Sequence, residues 1–72
     1  MTNEELLMLI KYKYSLEGKR WEMFCKRYAF RDMSTIIYVA KEICAELDTT
    51  LTNNFLKFLR RELKNEILNM QE

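Results

Sequence analysis

The sequence predicts an all-α protein: a compact bundle of three to four helices, with a helix-turn-helix-like corner between the last two. Three observations support this fold class. The chain has 72 residues, enough for a single domain over residues 1–72. It has no proline and one glycine, Gly18, so tight hairpins lack the usual turn residues. Its apolar residues recur with the helical period.

The first two helices are predicted on either side of Gly18. Thr2 or Asn3 suits the N-cap of the first, with Glu4 and Glu5 at the positive end of its dipole. The second is expected over roughly residues 19–30, on the spacing of its aromatic residues. The residues expected to face the core are Leu6, Leu7, Leu9, Ile10 and Tyr14 in the first helix and Trp21, Phe24, Cys25 and Tyr28 in the second.

The last two helices are predicted from similar signals. Asp32 or Ser34 is the expected N-cap of the third helix, whose apolar arc continues through residues 36–39 despite their high β propensity. The fourth begins near Thr50 or Thr52 and runs towards Met70. Its expected core stripe consists of Phe55, Leu56, Leu59, Leu63, Ile67 and Met70.

The two cysteines and the apolar runs bear on location. Cys25 and Cys44 fall within helical apolar stripes, which favours small buried side chains over a disulfide. The sequence has no apolar run near the ~18 residues of a membrane span, and its first residues do not resemble a secretory leader. We therefore expect reduced cysteines and a cytoplasmic protein that does not bind membranes.

Enzymatic chemistry is not expected from this composition. There is no histidine, and the two cysteines lack CxxC spacing, which disfavours a zinc site. One glycine cannot supply a phosphate-binding glycine loop. A carboxylate such as Glu22 or Glu42 on an amphipathic helix is more often solvated surface than a general base. The sequence predicts no catalytic residue, no metal site and no cofactor.

Charge is unevenly distributed along the chain. The net charge is only +1, yet seven bases and two acids give residues 11–31 a balance of +5. Residues 32–48 contain four acids and one base, a balance of −3. We therefore expect a bipolar molecule, with a basic surface available to a polyanion.

Double-stranded DNA is the first partner that the sequence suggests. One face of the fourth helix lacks carboxylates and combines cations for phosphates with two amides near the helix start. This face consists of Asn53, Asn54, Lys57, Arg60, Arg61 and Lys64. Exposed arginines of the second helix, Arg20, Arg27 and Arg31, form a ridge that would lengthen the contact. The chain would then act as a small DNA-binding regulator, although lysines and arginines also solvate most surface helices.

The match to a helix-turn-helix is partial. Ala40 suits the close helix crossing, and Cys44 lies where a glycine often begins the turn. Without an insertion, Thr50 and Asn53 would occupy apolar positions of the second helix. A turn one or two residues longer would instead place Leu51 and Phe55 there.

A protein-interaction module is the alternative of similar weight. Met8, Tyr12, Phe58 and Leu68 fall outside the core stripes, and together they would offer apolar surface to a larger protein or to a second copy in a homodimer. Alternatively, a helix that packs against neighbours on two of its sides would bury these apolar residues within the domain, and no interface would be needed to explain them. Binding of the second helix to a lipid surface is less favoured, because its aromatic stripe is needed for the core.

Overall fold

Residues 1–71 contain four helices, and the all-α prediction is confirmed. The computed structural model describes residues 1–71. Its helices are α1 (Asn3–Lys13), α2 (Gly18–Tyr28), α3 (Met33–Glu46) and α4 (Asn53–Met70). Residues 36–39 lie within α3, so the apolar period outweighs β propensity there.

Side-chain hydrogen bonds cap the N-termini of α1 and α4, whereas the N-cap residues of α2 and α3, Glu17 and Asp32, make no such bond. Thr2 and Glu5 form a capping box: Glu5 N–H donates to Thr2 Oγ1 at 3.1 Å, and Thr2 N–H donates to Glu5 Oε1 at 3.0 Å. At α4, Phe55 N–H donates to Thr52 Oγ1 at 3.1 Å. Thr2, Asp32 and Thr52 were each among the predicted N-caps, and each occupies that position.

The corners are short except between α3 and α4. The α1–α2 corner contains Ser15 and leads into Gly18, with φ values of 53° and 54°. Gly18 accepts this left-handed conformation without the strain that a side chain would bring. The α3–α4 corner spans six residues, 47–52, against the three or four of a helix-turn-helix. Leu51 packs against the core and Phe55 is buried, as the longer turn requires.

α4 is the helix on which the others assemble. Each of α1, α2 and α3 packs against it, and α2 does so most extensively. The buried α4 side chains are Phe55, Leu56, Leu59, Leu63 and Ile67, as predicted. They meet a core whose other buried members are Leu6, Leu7, Ile10, Leu16, Trp21, Cys25, Ala29, Ile36, Ala40, Ile43 and Cys44.

Some predicted core positions are wrong or only partly buried. Leu9 is 42% exposed, because the core face of α1 is centred on Leu6, Leu7 and Ile10 and leaves Leu9 beyond its edge. Phe24 and Tyr28 are half-buried: they pack against the core, and their rings meet at a tilt of 58° at its rim, with ring centroids 4.9 Å apart. Both cysteines are buried and free, as predicted.

Truncating the α4 stripe should destabilise the whole fold. Leu63 is 1% exposed, so Leu63→Ala leaves a cavity and is expected to lower the free energy of unfolding by about 2–5 kcal/mol. Leu68→Ala is the matched control on the same helix, since Leu68 is 59% exposed and its truncation should change stability by less than about 0.5 kcal/mol. Urea unfolding followed by circular dichroism measures both. Equal losses for the two variants would contradict the assignment of α4 as the central helix.

Candidate nucleic-acid interface

A shallow groove runs along the exposed side of α4, and we call it the basic groove. Its lining residues are Met33, Lys57, Arg60, Arg61, Lys64, Asn65 and Leu68. Among these described residues none is an aspartate or glutamate. Lys57 and Arg61 are four residues apart, as are Arg60 and Lys64, and the two pairs are offset by three residues, so all four cations project from one side of the helix. The predicted basic face of α4 therefore exists as one surface.

The corner between α2 and α3 forms the second wall of the groove. The Arg60 guanidinium contacts the sulfur of Met33. Lys64 Nζ lies 5.9 Å from the centroid of the Phe30 ring, which is itself 70% exposed. Cations held against a thioether and an aromatic face are less free than solvated lysines, which reduces the entropy lost on binding a ligand.

The two amides lie just outside the groove. Asn53 and Asn54 are exposed in the first turn of α4, one helical turn before Lys57. They share the side of the helix that carries Lys57 and Arg61. The amides thus extend the same surface towards the positive end of the α4 dipole.

The three arginines of the predicted ridge lie in two places. Arg20 and Arg27 are on α2, and Arg31 is in the corner that follows it. Arg20 and Arg27 line a separate depression with Met23 and Phe24, and Arg27 lies 6.0 Å from the Tyr28 ring centroid. Arg20 donates to the Tyr14 carbonyl at 3.2 Å. Arg31 directly follows Phe30 and donates from Nε to the Arg27 carbonyl at 3.2 Å. Of the three, only Arg31 belongs to the corner that borders the basic groove.

Three acids of α3 and the corner before it, Asp32, Glu42 and Glu46, do not line the groove. Glu42 and Glu46 line the depression that also holds Arg20, where the Tyr14 hydroxyl donates to Glu46. Asp32 accepts from the Ser34 and Thr35 hydroxyls, each at 2.5 Å, and these bonds lower the pKa of its carboxyl. Glu42 and Glu46 therefore do not face the basic groove, whereas Asp32 stays ionised at neutral pH and precedes the groove-lining residue Met33 in the sequence.

An exposed apolar surface lies on α1, and we call it the α1 surface. It consists of Met1, Glu5, Met8, Leu9 and Tyr12. Met8 and Tyr12 are 69% and 87% exposed, so two of the predicted interface residues lie here. Leu68 instead lies in the basic groove, and Phe58 is half-buried against the core, with its ring 6.2 Å from that of Phe55. The four predicted interface residues thus do not form one patch.

Sequence reasoning missed Phe30 and Met33. Phe30 falls two residues after the last aromatic of the α2 stripe, Tyr28, and this offset was the available signal that its ring leaves the core. Nothing in the local pattern showed that Met33 would contact Arg60, because that contact depends on how α3 crosses α4.

The described residues give little support to other kinds of site. Within residues 1–71 there is no group of three or more potential metal ligands. None of the helices in that range combines the length and the apolar character needed to cross a membrane. Burial raises the pKa of Cys25 to about 12, with Glu66 adding to the effect and Lys11 opposing it, so this thiol stays protonated at neutral pH.

Comparison with known proteins gives no match: no family model, no curated protein and no solved structure resembles the chain significantly.

The Tyr14–Glu46 hydrogen bond should make stability fall at alkaline pH. The bond to Glu46, reinforced by desolvation and by nearby carboxylate charge, raises the pKa of Tyr14 from 10.0 to about 12. Because the folded state holds this proton more tightly, the stabilisation is complete below pH 10 and is lost as pH rises towards 12. Tyr14→Phe should therefore be less stable than the native chain at pH 8 and lose less stability on going to pH 11.

Urea unfolding at a series of pH values checks this expectation. Glu46→Gln is the companion variant, since it removes the carboxylate that raises the Tyr14 pKa. In a chain that already carries Glu46→Gln, adding Tyr14→Phe should have a much smaller effect on the stability lost between pH 8 and pH 11. An unchanged effect would mean that Glu46 is not the partner responsible.

Proposed function

We propose that the chain is a small non-enzymatic DNA-binding protein that contacts duplex DNA through the basic groove of α4. One observation carries the proposal: Lys57, Arg60, Arg61 and Lys64 project from one side of a helix, and no carboxylate is among the described residues lining the groove. Phosphate contacts supply most of the affinity of such proteins for DNA.

The dimensions of α4 support contact with a major groove. An α-helix with its side chains is about 10–12 Å wide, close to the ~12 Å width of the major groove of B-DNA. Lys57, Arg61 and Lys64 would neutralise phosphates, and Asn53 and Asn54, near the helix start, would approach base edges. Asparagine forms paired hydrogen bonds with adenine, which makes the amides the candidates for sequence reading.

The three arginines of the predicted ridge contribute unequally to the proposed contact with DNA. Arg31 follows Phe30 in the corner that borders the groove, so it would lengthen the contact with the DNA backbone. Arg20 lies beside Glu42 and Glu46, whose charge opposes phosphate binding there. We therefore assign the footprint to α4 and Arg31 first, with Arg27 and Arg20 at its margin. A regulator of this kind would act in the cytoplasm.

An acidic protein partner is the second candidate. Leu68 favours it, because a leucine that is 59% exposed among cations offers an apolar contact that a phosphate backbone cannot use. Leu68→Ala separates the two functions. Affinity for DNA should stay within about twofold of the native value, whereas binding to an acidic partner recovered by pulldown should weaken.

Fluorescence anisotropy with a labelled duplex tests the DNA proposal. Affinity should fall steeply with salt, with a log–log slope of about −0.9 for each phosphate neutralised. Arg61→Ala removes an exposed cation from the groove and should make the slope shallower by about 0.9. Lys41→Ala removes an exposed cation from α3 and is the control, expected to leave the slope unchanged.

Two results would count against the proposal. The first is a lack of measurable duplex binding at low salt. The second is an equal change of slope in Arg61→Ala and Lys41→Ala, which would show attraction to the chain as a whole rather than to the basic groove.

A further inference from the structure

The α1 surface faces directly away from the core. At about 100° per residue, Glu5, Met8 and Tyr12 share the side of α1 opposite Leu6, Leu7 and Ile10, the residues that pack inwards. Leu9 borders this side at 42% exposure. Glu5, Met8 and Tyr12 are three and four residues apart, the spacing with which one helix packs along another. The surface has the layout of a helix-pairing seam without a partner inside the chain.

Charges on α1 determine which partner fits this seam. The first turn carries Glu4 and Glu5, and the last turn carries Lys11 and Lys13. Lys11 Nζ lies 4.1 Å from the Trp21 ring centroid of its own chain, so the exposed Lys13 is the main cation that this end offers to a second copy. A helix with an acidic start and a basic end is complementary to a copy of itself only when the two run antiparallel. A parallel pair would place Glu5 against Glu5 in the seam, where like charges repel.

We propose that two copies of this chain pair through antiparallel α1 helices, with the two-fold axis near Met8. Met8 and Leu9 of each copy then pack at the centre of the contact. Glu4 and Glu5 of one copy lie beside the basic end of the other, where the Tyr12 hydroxyl reaches the Glu5 carboxylate. The two-fold symmetry makes each of these contacts twice.

The size of α1 limits the strength of the dimer. Eleven residues form a helix about 16 Å long, so the contact is smaller than the ~800 Å² per partner of a standard interface. A contact of this size is typical of weak, transient association, so we expect a dissociation constant in the micromolar range. The basic groove is on α4 and is not part of the seam, so dimerisation does not depend on nucleic-acid binding.

Sedimentation equilibrium of the full chain without nucleic acid tests the dimer. The apparent mass should rise from one copy towards two as the concentration increases from about 1 to 500 μM, a range that brackets a micromolar dissociation constant. Met8→Glu should raise the dissociation constant at least about tenfold, because it buries a charge at the centre of the contact. Met23→Glu is the matched control, since Met23 on α2 is 65% exposed and lies outside the α1 surface. It should dimerise like the native chain.

Disulfide trapping tests the orientation. Cys25 and Cys44 are buried and free, so they contribute little background. Mixing Glu5→Cys with Tyr12→Cys under mild oxidation should give a mixed disulfide in the antiparallel pair. Tyr12→Cys alone should not link to itself, because the two sites lie about 12 Å apart along the helix axis. Met8→Cys, near the axis, should link readily.

Each contrary result overturns a defined part of the proposal. A monomer at every concentration, or an equal loss of dimer in Met8→Glu and Met23→Glu, removes the α1 contact. The antiparallel arrangement is overturned if Tyr12→Cys forms a disulfide with itself. It is also overturned if Met8→Cys forms a disulfide with itself but Glu5→Cys and Tyr12→Cys form none with each other. Neither result bears on duplex binding, which is measured separately.

Discussion

The apolar stripe of α4 is the constraint on which the rest of the structure depends. Each other helix packs against it, and α2 does so most extensively. Phe55, Leu59 and Leu63 are almost completely buried, so they are the residues that join the chain into one core. Within residues 1–71 the buried apolar side chains form one cluster, so the loss of these residues would affect the whole core.

The same stripe accounts for the position of the basic groove. A helix that buries one side against three neighbours must turn its remaining side to water. On α4 that side carries Lys57, Arg60, Arg61 and Lys64. Packing and charge on α4 are therefore linked, since a rotation of the helix that buried the cations would also expose Leu63.

The helices, their caps and the centre of the core could be predicted from the sequence, because these features depend on local chemistry and on period. Thr2 and Thr52 cap helices for reasons contained within four residues. The burial of residues at the edge of an apolar stripe could not be predicted in this way. Leu9 and Phe58 lie where burial depends on how far a neighbouring helix extends, and the period alone assigned Leu9 incorrectly to the core.

The basic face of α4 could be predicted because it follows from the helical period, as the apolar stripe does. The second wall of the groove, formed by the α2–α3 corner, could not be predicted. The contact of Lys64 with Phe30, and that of Arg60 with Met33, each join residues at least 27 positions apart, and their closeness follows from the path of the α2–α3 corner. The arginine ridge shows the same limit. Arg20 and Arg27 lie on α2, but Arg31 lies in the corner after it, so Arg20 shares a depression with Glu42 and Glu46 whereas Arg31 donates to the Arg27 carbonyl.

The basic groove is positive because charges are unevenly distributed over the surface, and not because the net charge of the chain is high. Glu42 and Glu46 are held on the side of Tyr14 and Arg20, whereas Asp32 precedes the groove-lining Met33, and its hydrogen bonds with two hydroxyls keep its carboxylate ionised. Over distances longer than the Debye length, about 8–10 Å near physiological salt, a net charge of +1 attracts a polyanion only weakly. Within that distance the basic groove acts as a local cluster of four positive charges. Attraction by such a surface is strong only when α4 faces the ligand, so the fold makes the encounter dependent on orientation.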